Sequence, residues 1–340
     1  MENKNACIIT EHGADIGMGH LIRCFALAEA LIYFKVNPIF ILNKPFAFTN
    51  SKFRHLTYKD EDNLLDILLT KFSQETIIII DSYLLSQDFY NKVFRYFPKL
   101  VSIDDYERID YPGGAVVNPA IYADELYKKR KESIQYYLGS KYALLRPQFW
   151  NLPQKSYPLE AKEILIILGG TDIRGLTLPI LTYLDNNISA KKINVVVTDA
   201  YPQKKEIKEY IENNNGRRNN LLLHLNPDNM AEIMWRADLA ITAGGQTTYE
   251  LAATGTPAIG ICVAGNQKLN VQYLSAKGIL LNAGDYCTQN LEDKVLKCII
   301  DLENNFVLRK EMGQKAQTMV NAKGAIKLVN DLLKWGKTYV

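Results

Sequence analysis

Two glycines and a histidine, Gly17, Gly19 and His20, lie between the apolar run ACIIT and the mostly apolar segment LIRCFALAEALIYF. The pattern predicts a strand handing over to a helix that begins near Gly19. The positive end of such a helix disfavours an imidazolium and keeps the His20 ring neutral, the state a general base needs in order to deprotonate a water. A histidine beside an apolar helix also serves as a structural hydrogen-bonding residue, so both readings stand at this point. Tyr83 follows the aliphatic run TIIIID, where its phenol either orients a sugar or packs. Asp81, Asp104 and Asp105 end two further aliphatic runs. They read as loop-capping carboxylates that also influence the histidine.

A second kind of chemistry is written in the later half. Gly244-Gly245-Gln246-Thr247-Thr248 follows the run DLAIT and precedes TYELAATG. Backbone N–H groups at such a strand-to-helix turn point at an anion that the helix dipole also favours, so Gly245, Gln246 and Thr247 are candidate diphosphate contacts. Glu250, on the first turn of that helix, either accepts hydrogen bonds from both ribose hydroxyls or complements the helix dipole. The loop Ala264-Gly265-Asn266-Gln267 offers amides to sugar or phosphate oxygens, or simply makes a turn. Gly169-Gly170-Thr171-Asp172 follows another aliphatic run. Gly170 and Thr171 let a ligand approach the backbone, while Asp172 caps a helix or touches that ligand. Neither a Walker lysine nor a complete G-x-G-x-x-G is present. His12, His55 and His224 form no metal-ligand spacing, and the five cysteines never form C-x-x-C, so neither a metal nor another cofactor is expected.

These residues need a scaffold that gathers strand ends. The runs ACIIT, PIFIL, TIIIID, LVSIDD, EILIILGG, NVVVTD, NLLLH, DLAIT and AIGICVA are continuous rather than alternating, as parallel strands covered on both faces require. Helix-length segments separate them, which predicts an α/β fold built of repeated strand–helix units. The chain of 340 residues suggests two domains, and the polar, proline-marked stretch from Pro147 to Lys162 is the candidate linker. We therefore expect a Rossmann-like domain over 1–152 that carries the histidine and the sugar contacts. A second Rossmann-like domain over 160–325 carries the candidate diphosphate loop, and a helix at 326–340 packs back on the first. Ligands of open parallel sheets bind beyond the carboxyl ends of the strands, so two such domains facing each other place that edge in a cleft. The net charge of +3 is too small to imply nucleic acid, and the run KKRK at 128–131 reads as a solvated helix face. No apolar run reaches the roughly 18 residues of a membrane span, and nothing at the start reads as a secretory signal, so a cytoplasmic protein is expected. Oligomeric state is not legible.

In order along the chain, IGMGHLIRCFALAEAL, IIIIDSY, VSIDDYE, VVNPAIYA, YYLGSKYALLRPQF, ILGGTDIRGLT, GGQTTYELAATGTPAI and AGNQ resemble consecutive blocks of one family. That family is the nucleotide-sugar hydrolases of the pseudaminic acid pathway, which release UDP from UDP-2,4-diacetamido-2,4,6-trideoxy-β-L-altropyranose. The resemblance runs from Ile16 to Gln267. It implies a GT-B fold, similar to the peptidoglycan N-acetylglucosaminyltransferase, with UDP held mainly by the domain over 160–325, and metal-independent hydrolysis at the anomeric carbon with C1–O cleavage and inversion. It implies His20 as the group that activates water, with Gly17, Gly19 and Arg23 in the same block and Tyr83 near the sugar. Glu250, Asn266 and Gln267 are implied around the nucleotide and sugar. One departure stands out: where the family has arginine, any residue, then aspartate after the first strand, this chain has Ile9-Thr10-Glu11. Three functions follow: the hydrolase, a glycosyltransferase using a UDP-sugar donor and an acceptor hydroxyl, and a nucleotide-sugar binding protein without turnover, the last raised by the missing arginine.

Overall fold

The computed structural model describes residues 5–13, 18–46 and 53–335. The chain divides into two compact units. The first holds the residues up to Pro147 and those from Lys323 onward; the second runs from Gln148 to Ala322.

In the first unit, the described residues form strands β1 (Asn5–Thr10), β2 (Asn37–Leu42), β3 (Arg54–Thr57), β4 (Ile77–Asp81), β5 (Leu100–Ile103), β6 (Gly114–Asn118) and β7 (Ile134–Leu138). They lie in the order β3-β2-β1-β4-β5-β6-β7, all pairs parallel. The chain winds outward from β1 to β3, then returns to the other side of β1 with β4. The strand order therefore reverses between β1 and β4, and ligands of open parallel sheets gather at such a switch point. Thr10 is the register partner of Asp81, so the residues that follow these two strands emerge side by side. Cys7, Ile9, Ile78, Ile80, Leu100 and Val116 are buried in a core with Leu64, Leu68, Phe89 and Val93 from two covering helices. Burial on both faces is why these strands read as unbroken aliphatic runs.

The helix that carries His20, Gly19–Tyr33, begins without a side-chain cap. The helix Gly324–Trp335 packs against it from the far end of the sequence. Gly324 makes that return possible, because a Cβ there would stand 2.4 Å from the carbonyl oxygen of Ala143.

The second unit repeats the plan with β8 (Glu163–Ile167), β9 (Lys192–Val197), β10 (Asn220–Leu225), β11 (Leu239–Ala243), β12 (Ala258–Cys262) and β13 (Leu280–Asp285), ordered β10-β9-β8-β11-β12-β13. These pairs are also parallel. The reversal now falls between β8 and β11, whose following loops are Gly169-Gly170 and Gly244-Gly245. The proline-marked stretch is strapped to this unit rather than loose. The Gln148 side chain accepts the Ala231 N–H at 3.1 Å, Lys155 donates to the Ala237 carbonyl at 2.5 Å, and Tyr157 donates to the Gly255 carbonyl at 3.0 Å.

Candidate active site

At the β1–β4 switch point, four charged side chains and two aromatic rings form one network. His20 is the second residue of its helix and Arg23 lies one turn on, so both project from the same face. Nδ1 of His20 lies 2.6 Å from Oδ1 of Asp81. Arg23 donates to the same carboxylate through Nε and Nη2, each at 2.6 Å, and to Asp105 through Nη1 at 2.7 Å and Nη2 at 3.0 Å. Its fork thus bridges the ends of β4 and β5.

The protonation pattern follows from these contacts. Burial alone would raise the Asp81 carboxyl, but the Arg23 charge and the hydrogen bond from His20 outweigh it and hold the group well below the usual carboxylate range. Asp105 is also lowered, again because Arg23 overcomes burial. Burial would weaken the Arg23 charge, yet the two aspartates hold it firmly protonated. An ionised Asp81 only accepts hydrogen bonds, so the proton it meets belongs to Nδ1 of His20. In the neutral ring the lone pair then lies on Nε2, the atom facing away from the carboxylate. Arg23 Nη2 and His20 Nδ1 stand 3.2 Å apart as two donors converging on one oxygen, not as a bonded pair. With His20 and Asp81 only 6% and 0% exposed, this orientation is set in a low-dielectric setting where hydrogen bonds to charge are strong.

Tyr83 is held from two sides. Its hydroxyl donates to Asp105, and its backbone N–H donates to Glu11 Oε1 at 2.5 Å. Glu11 is fully buried and also accepts the Ser82 hydroxyl at 2.6 Å. The acidic residue after β1 therefore fixes the loop after β4. The Tyr83 ring meets the His20 ring edge-on, with centroids 4.3 Å apart. With its proton donated to Asp105, the Tyr83 hydroxyl keeps only an accepting oxygen, and its ring stands beside His20.

At the β8–β11 switch point, Gly245, Gln246 and Thr247 lead into the helix Thr247–Thr254, which has no side-chain cap for its first amides. Gly244 has another task. Its N–H donates to the Ile261 carbonyl at 2.9 Å and to Gln267 Oε1 at 3.1 Å, and a Cβ on it would stand 2.3 Å from Val271. Gln267 Oε1 also accepts the Val263 N–H at 3.1 Å, so this amide oxygen braces two loops from within. Asn270 completes the brace, donating to the Gly244 carbonyl at 2.8 Å and the Thr248 hydroxyl at 3.0 Å. Glu250 is buried on the first turn, and Asn266 is exposed in the short turn Gly265–Gln267. Gly170 is exposed, Thr171 is half-buried beside it, and Asp172 caps the helix Thr177–Asn187 by accepting the Leu176 and Thr177 N–H groups at 3.0 and 2.8 Å. Neither Gly170 nor Gly245 has a left-handed backbone. A Cβ would meet nothing within 4 Å at Gly170 and only ordinary contact at Gly245, so the chain's own packing does not demand glycine at either place.

Among the sequence candidates, His20, Arg23 and Tyr83 come together in the first unit, with Gly19 opening the helix; Gly17 lies outside the described residues. Gly170, Thr171, Gly245, Gln246, Thr247, Glu250, Asn266 and Gln267 fall on the loops and helix starts that follow β8, β11 and β12 in the second unit. Sequence reasoning placed Asp81, Asp105 and Glu11 outside the leading set, although they organise the histidine and Tyr83. Their signal was present: each closely follows an aliphatic run.

Two doubly wound parallel sheets with their polar loops at both switch points define a protein of GT-B fold. Residues 188–328 match the glycosyltransferase family 28 C-terminal domain. The resemblance read from the ordered blocks is borne out by a Helicobacter pylori protein named pseudaminic acid cytidylyltransferase and UDP-2,4-diacetamido-2,4,6-trideoxy-beta-L-altropyranose hydrolase, 27% identical over 77% of this chain and 45% of its own length. The chain is also similar to the Bacillus subtilis spore coat polysaccharide biosynthesis protein SpsG, 24% identical over 94% of this chain and 95% of that one. Two of the curated relatives are matched over only about half their length, 54% and 45%. Among solved structures, Phytolacca americana UGT2, in complex with UDP-2fluoro-glucose and pterostilbene, superposes with a TM-score of 0.70 at 14% identity, over 98% of this chain and 100% of that one. No helix among the described residues is long and apolar enough to cross a membrane.

Proposed function

We propose that this chain is a metal-independent nucleotide-sugar hydrolase that releases UDP from a UDP-linked 2,4-diacetamido-2,4,6-trideoxy sugar. The observation that carries the reading is the buried His20–Asp81 pair, which presents Nε2 as the accepting atom. In the proposed reaction Nε2 takes a proton from water as the water oxygen bonds to C1. The bond from C1 to the β-phosphate oxygen breaks on the opposite face, and its electron pair leaves with UDP. Asp81 stabilises the imidazolium that forms, while Arg23 keeps Asp81 ionised. In the second unit, the amides at the start of Thr247–Thr254 favour negative charge and hold the diphosphate, and Glu250 accepts the ribose hydroxyls. Glycine at 170 and 245, not required by packing, suits close approach of the ligand to the backbone. The named activity of the Helicobacter pylori relative supports the choice of substrate.

A glycosyltransferase is the second reading, favoured by the family 28 match and the likeness to UGT2. There Nε2 would deprotonate an acceptor hydroxyl instead of water. The test is an NMR product assay over several UDP-deoxyaminosugars with and without acceptors. Free sugar and UDP in water alone, lost in His20→Ala, support hydrolysis. UDP release that strictly requires an acceptor supports transfer, and full activity in His20→Ala overturns the histidine mechanism.

A further inference from the structure

Arg174 stands in the turn after β8, on the same edge of the second sheet as the candidate diphosphate loop. Asp172 and Gly175 both take left-handed backbone, with φ of 41° and 63°, and the Gly175 N–H closes the turn on the Asp172 carbonyl at 2.8 Å. From this turn Arg174 reaches across to the neighbouring strand ends. Its Nε donates to the Val263 carbonyl, just beyond β12, at 3.1 Å, and Cζ lies 3.8 Å from the centre of the Tyr286 ring, just beyond β13. The Tyr286 N–H in turn donates to the Cys262 carbonyl at 3.0 Å. Val263 and Gly244 share Gln267 Oε1 as the acceptor of their N–H groups, so the anchor of Arg174 is joined through one side chain to the glycine loop. Asp172 is spent on the Leu176 and Thr177 N–H groups, and Asp285, next to Tyr286, on the Cys287 N–H. Nη1 and Nη2 of Arg174 have no acceptor among the described residues.

A solvated surface arginine keeps its rotamer freedom. This one gives it up to a hydrogen bond and a stacked ring, while its charge and the outer side of its planar fork stay open. In a UDP-sugar, the uracil, the ribose and an acetamido sugar are neutral at neutral pH, and only the diphosphate is charged. The start of the helix Thr247–Thr254 offers that group only about half a positive charge. We propose that Arg174 is a further phosphate-binding residue, donating from Nη1 and Nη2 to the diphosphate, and that Tyr286 is the positioning residue that holds the guanidinium in place. The inference rests on the reading of these strand ends as the UDP site. When the bond from C1 breaks, the β-phosphate gains negative charge, so the same guanidinium favours departure.

The probes are UDP and uridine, which differ only in the diphosphate. Their affinities for the full chain are measured by calorimetry for UDP and ligand-observed NMR for uridine. Arg174→Gln should weaken UDP about 10-fold, the worth of a hydrogen bond to a charged group, and leave uridine unchanged. Tyr286→Leu should weaken UDP about threefold, whereas Tyr286→Phe should bind as the wild type does, because the ring face and not the hydroxyl carries the guanidinium. Unchanged uridine affinity shows that the variants are folded. UDP affinity unchanged in Arg174→Gln, or a loss shared equally by uridine, overturns the proposal, and UDP affinity unchanged in Tyr286→Leu or lowered in Tyr286→Phe overturns the part given to Tyr286. Parallel UDP-release assays separate this inference from the hydrolase reading. UDP affinity that depends on Arg174 without turnover refutes hydrolysis alone, turnover with Arg174-independent UDP affinity refutes the Arg174 contact alone, and a wild type that binds no UDP overturns both.

Discussion

Nδ1 of His20 lies 2.6 Å from Oδ1 of Asp81, a residue 61 positions away in sequence, and the ionised carboxylate fixes which ring nitrogen carries the proton. Replacing Asp81 with asparagine keeps the shape but puts an amide donor within reach of Nδ1, so the ring can settle in the tautomer whose Nε2 is protonated. Asp81→Asn should lower the rate of UDP release by about 10²- to 10⁴-fold. UDP affinity, which the proposed function assigns to the second unit, should be unchanged. Single-turnover kinetics beside calorimetry check this, and an unimpaired rate would show that Asp81 does not orient the base.

The same carboxylates make the first unit acid-sensitive. Asp81 and Asp105 both titrate below the ordinary aspartate range in the folded chain, held down by Arg23 against the effect of burial. Their folded values lie below the unfolded value, so their stabilisation is complete above about pH 4 and is lost as pH falls through the folded values. Melting temperature should therefore drop steeply below about pH 4. In Asp105→Asn part of that slope should vanish, a difference that calorimetry across pH 2.5 to 5 would resolve, these limits being set about the reference aspartate value of roughly 3.9.

Glu250 should distinguish ribose from deoxyribose. If its carboxylate accepts the ribose hydroxyls, the wild type binds UDP more tightly than 2′-deoxy-UDP by about 10-fold, the worth of one hydrogen bond to a charged group. Glu250→Ala should remove that preference. Equal affinities in the wild type would return Glu250 to a helix-dipole role.

Lys155 predicts a rise of stability with pH in the second unit too, but in the alkaline range. Burial pulls its ammonium down to about 8, against the attraction of Asp238 and Glu163. Its folded value is below the unfolded one, so between about pH 8 and pH 10.4 the unfolded chain holds a proton that the native chain has released. Stability of this unit should rise across that window and stay flat in Lys155→Met. The variant should also lose about 1–3 kcal/mol at neutral pH, because the Trp235 and Ala237 carbonyls lose their donor. Fluorescence of Trp235 during denaturation would follow it.

All nine aliphatic runs expected to be strands are strands. Four others, β3, β6, β7 and β13, were not anticipated from runs. β3, β7 and β13 lie at sheet edges, where burial is partial and polar residues such as Arg54, Gln135 and Asn282 are tolerated. β6 is internal but only five residues long, begun by Gly114 and ended by Asn118. In the site, His20 was legible because a glycine-flanked histidine at a helix start is a local pattern. Glu11 was noticed only as a departure from a motif, and its task of holding Tyr83 and Ser82 emerges only in three dimensions.

The amino-acid sequence by itself determined the parallel α/β character and the residues that stand at the strand ends. Burial on both faces demands unbroken aliphatic runs, and glycine and polar residues must follow where each strand meets its helix. Only the tertiary structure decided which strand ends are neighbours. β1 lies between β2 and β4 because the chain crosses back over the sheet, and that crossing brings Glu11 to Ser82 and Asp81 to His20 and Arg23. Local composition does not encode such pairings. They arise when hydrophobic burial sets the strand order, and the ionised groups left at its switch point then satisfy one another in a site too dry to leave them unpaired.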